Sequence, residues 1–94
     1  MMSEFTIRHD RQKYHFEVNL DGRCAYLAYM DLGKQTLDFY RTYVPEDLRG
    51  HGIAAAIVQE ALDFANREGY VVIPSCSYVE SYLERDRLKA SQAG

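Results

Sequence analysis

The sequence predicts an α+β fold: an antiparallel meander of strands, then a parallel β-α-β unit, then a closing helix. Three observations carry this. Apolar and polar residues alternate through much of the first half. The period lengthens to that of a helix between Gly52 and Glu68. Glycines and prolines fall where the pattern changes.

Phe5-Thr6-Ile7-Arg8-His9 alternates and reads as a first, half-buried strand; Tyr14, Phe16, Val18 and Leu20 alternate with His15, Glu17 and Asn19 and read as a second. Asp21-Gly22 is a hairpin signal, because both positions of the favoured tight turn need positive φ. Arg23 to Leu32 is apolar at nearly every position and reads as a central strand covered on both faces. Gly33-Lys34 makes the next turn, and Thr36 to Val44, rich in aromatic and β-branched residues, forms a further strand that Pro45 ends. Ile53, Ala54, Ile57, Val58, Ala61, Leu62 and Ala65 then follow helical spacing up to Gly69, which sits where a C′ glycine belongs. Tyr70–Ile73 is a short strand closed by Pro74, expected to run parallel to Thr36–Val44 with a right-handed crossover. Ser77-Tyr78-Val79-Glu80 fits a capping box with Ser77 as N-cap, so a second helix is expected from about Tyr78 to Arg87, with residues 90–94 frayed.

The 94 residues are expected to form a single minimal domain, residues 1–94. At 47% hydrophobic and 27% charged, the composition is that of an ordinary globule. No apolar run approaches the ~18 residues of a membrane span, and Met1-Met2-Ser3-Glu4 has neither the basic nor the apolar stretch of a secretory leader. A net charge of −3 removes the general attraction for phosphate backbones, so neither nucleic acid nor membrane is expected as a partner. The two cysteines, Cys24 and Cys76, have no second pair, and His9, His15 and His51 form no ligand array, so no metal site is expected. A reduced, cytoplasmic, metal-free protein, a monomer or weak homodimer, is the expectation.

The most telling segment is Val44-Pro45-Glu46-Asp47-Leu48-Arg49-Gly50-His51-Gly52-Ile53-Ala54. It leaves a strand, carries two glycines in three residues and enters a helix with small first turns. Glycines let backbone N–H groups converge, and the helix N-terminus adds unpaired donors and its positive dipole end, together an anion seat. The competing reading is a glycine-softened helix start that holds no ligand. The phosphate loop GxxxxGK[ST] is absent, because no lysine follows Gly52. A dinucleotide fingerprint is formally met, but the loop before Gly50 is too long for its tight turn, and no acidic residue ends the next strand.

Arg49-Gly50-His51-Gly52-Ile53-Ala54 resembles the [Q/R]-x-x-G-x-[G/A] signature of the GNAT superfamily of acetyl-CoA-dependent N-acetyltransferases. With Val44-Pro45 before it and Val72-Ile73-Pro74-Ser75-Cys76-Ser77-Tyr78-Val79 after the helix, it looks like a small single-domain GNAT-like subfamily. The resemblance implies a GNAT-like mixed sheet with acetyl-CoA or CoA bound at the splayed ends of the strands at Val44 and Ile73. Backbone N–H groups of Arg49, Gly50, His51, Gly52, Ile53 and Ala54 would cradle its pyrophosphate, and the main chain of Tyr43 and Val44 would pair with pantetheine. The chain departs from full-length relatives between His9 and Tyr14, where no room is left for the helices that shape an acceptor site.

Acetyl transfer to an amine needs positioning, a polarised carbonyl, a base, and a proton for the departing thiolate. The resemblance points to Tyr82 for that proton, although Tyr78 and Tyr82 at i and i+4 also read as a packed aromatic stripe. Glu46 and Asp47 read as a solvated turn, His51 as solvent- or cofactor-facing, Asp38 and Arg41 as possible cleft residues, and Cys24 as a small core residue. Cys76 lies beside a helix N-terminus, which stabilises a thiolate, so it is expected to titrate low and to be able to take the acetyl group covalently. In the subfamily resembled, the matching cysteine is a suspected active-site residue; the other reading is a buried structural thiol. The leading function is therefore an acetyl-CoA-dependent N-acetyltransferase with an unknown amine acceptor. A CoA- or acyl-CoA-binding module without efficient transfer and a non-catalytic α+β interaction domain are the alternatives.

Overall fold

The computed structural model describes the backbone of residues 5–93 and side chains through Leu88. Five strands form one mixed sheet in the order β1-β2-β3-β4-β5. They are β1 (Arg8–Asp10), β2 (His15–Leu20), β3 (Arg23–Gly33), β4 (Thr36–Tyr43) and β5 (Val71–Ile73). The first four pair antiparallel and β5 joins β4 in parallel. Helix α1 (Ile53–Arg67) makes the crossover and α2 (Ser77–Ala93) ends the chain. The α+β meander followed by a parallel unit is thus as the sequence predicts.

Local chemistry fixes the turns. Asp21 and Gly22 both have positive φ, 51° and 79°, and join β2 to β3 as a tight hairpin. α1 ends in a full Schellman motif: Gly69 has φ 77°, the Tyr70 N–H donates to the Ala65 carbonyl at 2.8 Å, and the Gly69 N–H to Asn66 at 3.3 Å. α1 buries Ile53, Ile57, Val58, Ala61, Phe64 and Ala65 against Phe16 and Val18 of β2, Ala25, Leu27 and Tyr29 of β3, and Leu37 and Phe39 of β4. α2 adds Val79 to the same cluster.

The register of β4 breaks at one extra residue. Tyr29 pairs with Phe39 but Ala28 pairs with Arg41, which leaves Tyr40 as a β-bulge. Beyond it Thr42 stands opposite the buried Leu27, on the helix side, while Arg41 and Tyr43 share the other face with Ala28 and Tyr26. The bulge therefore turns Thr42 toward the start of α2.

Four expectations are corrected. β1 begins at Arg8 rather than Phe5. β3 is central but not covered on both faces: the helices pack into one core, and Met30 on the opposite side is 46% exposed. Cys76, not Ser77, precedes α2: its N–H donates to the Phe39 carbonyl and its own carbonyl accepts the first helical bond, from Glu80, both at 3.0 Å. Pairing to β4 thus sets the helix start one residue earlier than the Ser-x-x-Glu pattern does. Finally, α2 continues past Arg87 to Ala93, because Lys89, Ala90, Gln92 and Ala93 favour helix and no glycine intervenes before Gly94, which lies outside the described residues.

Candidate functional site

The glycine loop builds the site. A 3-10 turn over Glu46–Leu48 buries Leu48 and lifts the chain off β4. Gly50 and Gly52 then both take left-handed backbone, φ 86° and 78°. A Cβ built on either would meet open space, so what demands glycine is the conformation, and the room beside each is free for a ligand. Gly52 is the N-cap of α1 and has no side chain to cap it. The first helical bond runs from the Ala56 N–H to the Gly52 carbonyl at 3.0 Å. The N–H groups of Ile53, Ala54 and Ala55 therefore have no partner within the helix and point out of its positive end.

Those donors border a cavity of about 380 Å³ lined by Thr42, Tyr43, Val44, Leu48, Arg49, Gly50, Gly52, Ile53, Ala54, Ala55 and Tyr78. Of the residues expected at a cofactor loop, Tyr43, Val44, Arg49, Gly50, Gly52, Ile53 and Ala54 border it. His51 does not; it is exposed between the two glycines. The Arg49 Nε donates to the Val44 carbonyl at 3.0 Å, a clasp that closes the loop onto the end of β4 and occupies one of the main-chain acceptors expected to face pantetheine. Asp38 and Arg41 do not line the cavity: Asp38 alternates away from core-facing Leu37 and Phe39, and the bulge puts Arg41 on that same opposite face.

At the inner end, Cys76 Sγ lies 3.5 Å from Thr42 Oγ1, which lines the cavity. Burial pushes the Cys76 thiol up. Hydrogen bonding from the Thr42 side chain, and from the backbone N–H groups of Val79, Tyr78 and Thr42, outweighs it and leaves the thiol below its usual pKa. Cys24, in contrast, is pushed up by burial and by the Glu17 carboxylate. Two half-buried, free thiols thus have opposite tendencies.

Tyr82 is not in this cavity. It lines a neighbouring hollow with Ala55, Tyr78, Arg85 and Asp86. Its hydroxyl donates to Gln59 Oε1, and Gln59 in turn donates to Asp63 at 2.9 Å. Burial, then the charges of Asp86 and the groups Tyr78 and Asp63, raise its pKa. Tyr78 is the tyrosine that borders both hollows. Sequence reasoning missed it because the i, i+4 spacing marks a shared face without saying which residue reaches the strand ends. Among the described residues no group of three or more histidine, cysteine or acidic side chains could hold a metal ion.

A parallel β-α-β step opening at a glycine loop and helix N-terminus, after an antiparallel meander, defines a small mixed-sheet α+β domain with its cleft at the end of β4. Residues 13–91 match the GCN5-related N-acetyl-transferase family, and this chain belongs to it. It is 38% identical over 85 residues to Protein NATD1 of Mus musculus, an alignment covering 87% of this chain and 76% of that protein. It is 36% identical over 89 residues to Protein NATD1 of Xenopus tropicalis, covering 92% and 81% respectively.

Proposed function

We propose that the chain is a minimal acetyl-CoA-dependent N-acetyltransferase acting on an amine acceptor. The observation that carries this is one cavity in which the two left-handed glycines, the open N-terminus of α1 and the end of β4 meet, with the Cys76 sulfur one contact away through Thr42. The backbone N–H groups of the Arg49–Ala54 loop suit a pyrophosphate, and the main chain of Tyr43 and Val44 suits an amide-bearing arm. Acetyl-CoA supplies an acetyl group already activated as a thioester. Of the two tyrosines Tyr78 and Tyr82, Tyr78 lines the cavity and is the proton donor of this reading; Tyr82 would first have to leave Gln59.

Cys76 is the nucleophile of this reading. Its lowered thiol makes it the stronger attacking group at neutral pH. The exchange balances: the Cys76 thiol and acetyl-CoA give acetylated Cys76 and the CoA thiol, and an amine then takes the acetyl group and restores the Cys76 thiol. The two free cysteines suit the reducing cytoplasm expected from the sequence.

The test is to mix protein with acetyl-CoA, quench in acid and measure intact mass for wild type and Cys76→Ala. An acetyl adduct on the wild type that the variant lacks supports the covalent role. If neither gains mass and the variant still transfers at the wild-type rate, Cys76 is structural and transfer is direct. A second reading, a CoA-binding module, is favoured by the sheet face that no helix covers, exemplified by exposed Met30. CoA at a hundred times its Kd adding about 2.7 kcal/mol of stability, with no transfer to any amine, would select it.

A further inference from the structure

Two of the carboxylates on the sheet face opposite the helices, Glu17 and Asp38, are treated differently. Glu17 is almost fully buried, yet Asn19 Nδ2 donates to its Oε2 at 3.3 Å and the His15 ring stands 3.7 Å from its Oε1. Asp38 has no such help. Its Oδ1 is buried with no hydrogen-bond partner, and no cation among the described residues pairs with it. A buried carboxylate oxygen left unpaired is costly, and natural proteins keep few of them.

Oδ1 itself is closed to solvent, but Asp38 as a whole is only half-buried, and its surroundings say what would pair with its charge from outside. Leu37 and Phe39 face the core, so Asp38 points the other way, and its ladder partners there are Met30 on β3 and Ile73 on β5. Met30 is 46% and Ile73 40% exposed, and the bulged Tyr40, two residues on, is 44% exposed. An anion set among exposed apolar side chains complements a cation on an aliphatic stem. A two-fold contact centred on Asp38 would bring one Asp38 carboxylate toward another, which disfavours a second copy of this chain seated there. The patch also adjoins the reactive end: Asp38 precedes Phe39, whose carbonyl accepts the Cys76 N–H at 3.0 Å.

We propose that Asp38, with Met30, Tyr40 and Ile73, forms an acceptor-side subsite that holds the ammonium of an aliphatic amine, so that preferred acceptors carry a cationic nitrogen besides the one that reacts. The inference rests on the transferase reading for its purpose, but not for its test. Asp38 is a positioning residue here: it anchors the acceptor and leaves the acetyl group to the cleft on the other side of the bulge.

The experiment is a titration of isotope-labelled protein with 1,7-diaminoheptane, following backbone amide resonances, with 1,7-heptanediol as the neutral counterpart. The expected result is saturable shifts at Met30, Asp38, Tyr40 and Ile73 with the diamine alone. Asp38→Asn should weaken that binding about tenfold or more, the scale of losing a charged hydrogen bond, and leave CoA affinity unchanged. The variant should also melt at or above the wild-type temperature, because an unpaired carboxylate has been removed. A merely structural Asp38 would instead show lower stability. Equal shifts with the diol, undiminished diamine binding in Asp38→Asn, or a lower melting temperature for the variant would each overturn the subsite. So would dilution-dependent shifts of the same amides with self-association in sedimentation. Failure of CoA to bind would count against the transferase reading alone, since the amine titration needs no CoA.

Discussion

The glycine-loop end of the molecule and the aromatic end beneath β1 share the same helix but treat their polar groups in opposite ways. Phe64 lies eleven residues after Ile53 on α1, about 16 Å further along its axis. Around it His9 stacks on Phe16 with centroids 4.0 Å apart, meets Phe64 edge-on at 4.6 Å, and hydrogen-bonds Tyr29 through Nε2 at 2.6 Å. Phe64 also stacks on Tyr70 at 5.8 Å, and Arg11 lies 5.2 Å over its ring. Here polar atoms are matched and rings interlock. At the other end helix N–H groups are open and glycines hold left-handed backbone. The difference teaches where this small chain stores stability and where it gives it up for binding, since a functional site tolerates local inconsistency only if packing elsewhere offsets it.

The largest expected effect comes from breaking the aromatic end. Phe64 is 6% exposed and touches three other rings, so Phe64→Ala should cost about 3–5 kcal/mol. That is a large share of what a domain this size possesses, and chemical denaturation should show a chain close to unfolded at 37 °C. A loss under 1 kcal/mol would mean that the helix-strand core, not the rings, carries the fold.

Next comes a matched pair of glycines. Gly22 in the β2–β3 hairpin and Gly52 at the start of α1 have φ 79° and 78°, and a Cβ on either meets open space. Valine at either site therefore pays a similar conformational penalty, of about 1–2 kcal/mol. Only Gly52→Val should also abolish CoA binding, measured by calorimetry on protein whose circular dichroism is native-like. If Gly22→Val loses CoA equally, the loss reflects general destabilisation and the loop is not the seat of the anion.

Much of this contrast is legible in the residues before any coordinates. Alternation places Phe16, Val18, Leu37 and Phe39 in the core, helical spacing does the same for Ile57, Val58 and Ala61, and Gly69 caps α1 as expected. The glycine loop announces itself because left-handed backbone leaves so few residue choices. What escapes is set by register rather than composition. Nothing in Phe39-Tyr40-Arg41-Thr42 marks Tyr40 as the bulge, yet that one residue decides that Thr42, and not Arg41, meets Cys76. The same holds at α2, where a hydrogen bond to β4 puts the helix start at Cys76, and at Tyr78, whose place beside the cavity follows from that start. Long-range pairing fixes these, and a local pattern cannot contain it.

The smallest effect sharpens the comparison through pH. Burial, and then the positive charge of Arg11, lower the pKa of His9 below its ordinary value, while Asp10 pulls weakly the other way. The folded state thus prefers neutral His9, and over the window between the lowered pKa and about 6.5 the unfolded chain binds more protons than the folded one. Stability from this group is fully present above about 6.5 and is lost as pH falls through the folded pKa. A protonated ring would also have to sit against Phe16 and Phe64 without a nearby anion of its own row save Asp10. Melting temperature should therefore decline between pH 7 and pH 5 in the wild type. His9→Gln keeps a hydrogen-bonding group for the Tyr29 hydroxyl but cannot titrate, so its melting temperature should start lower and decline less over the same range. The cleft supplies the control: its residues, His51 of the loop included, are the same in both proteins, so any change of CoA affinity with pH, corrected for the folded fraction, should be equal in the two. A parallel decline in the two melting curves would place the acid sensitivity outside the aromatic end, among the carboxylates, and would remove His9 from the account of where this fold is held.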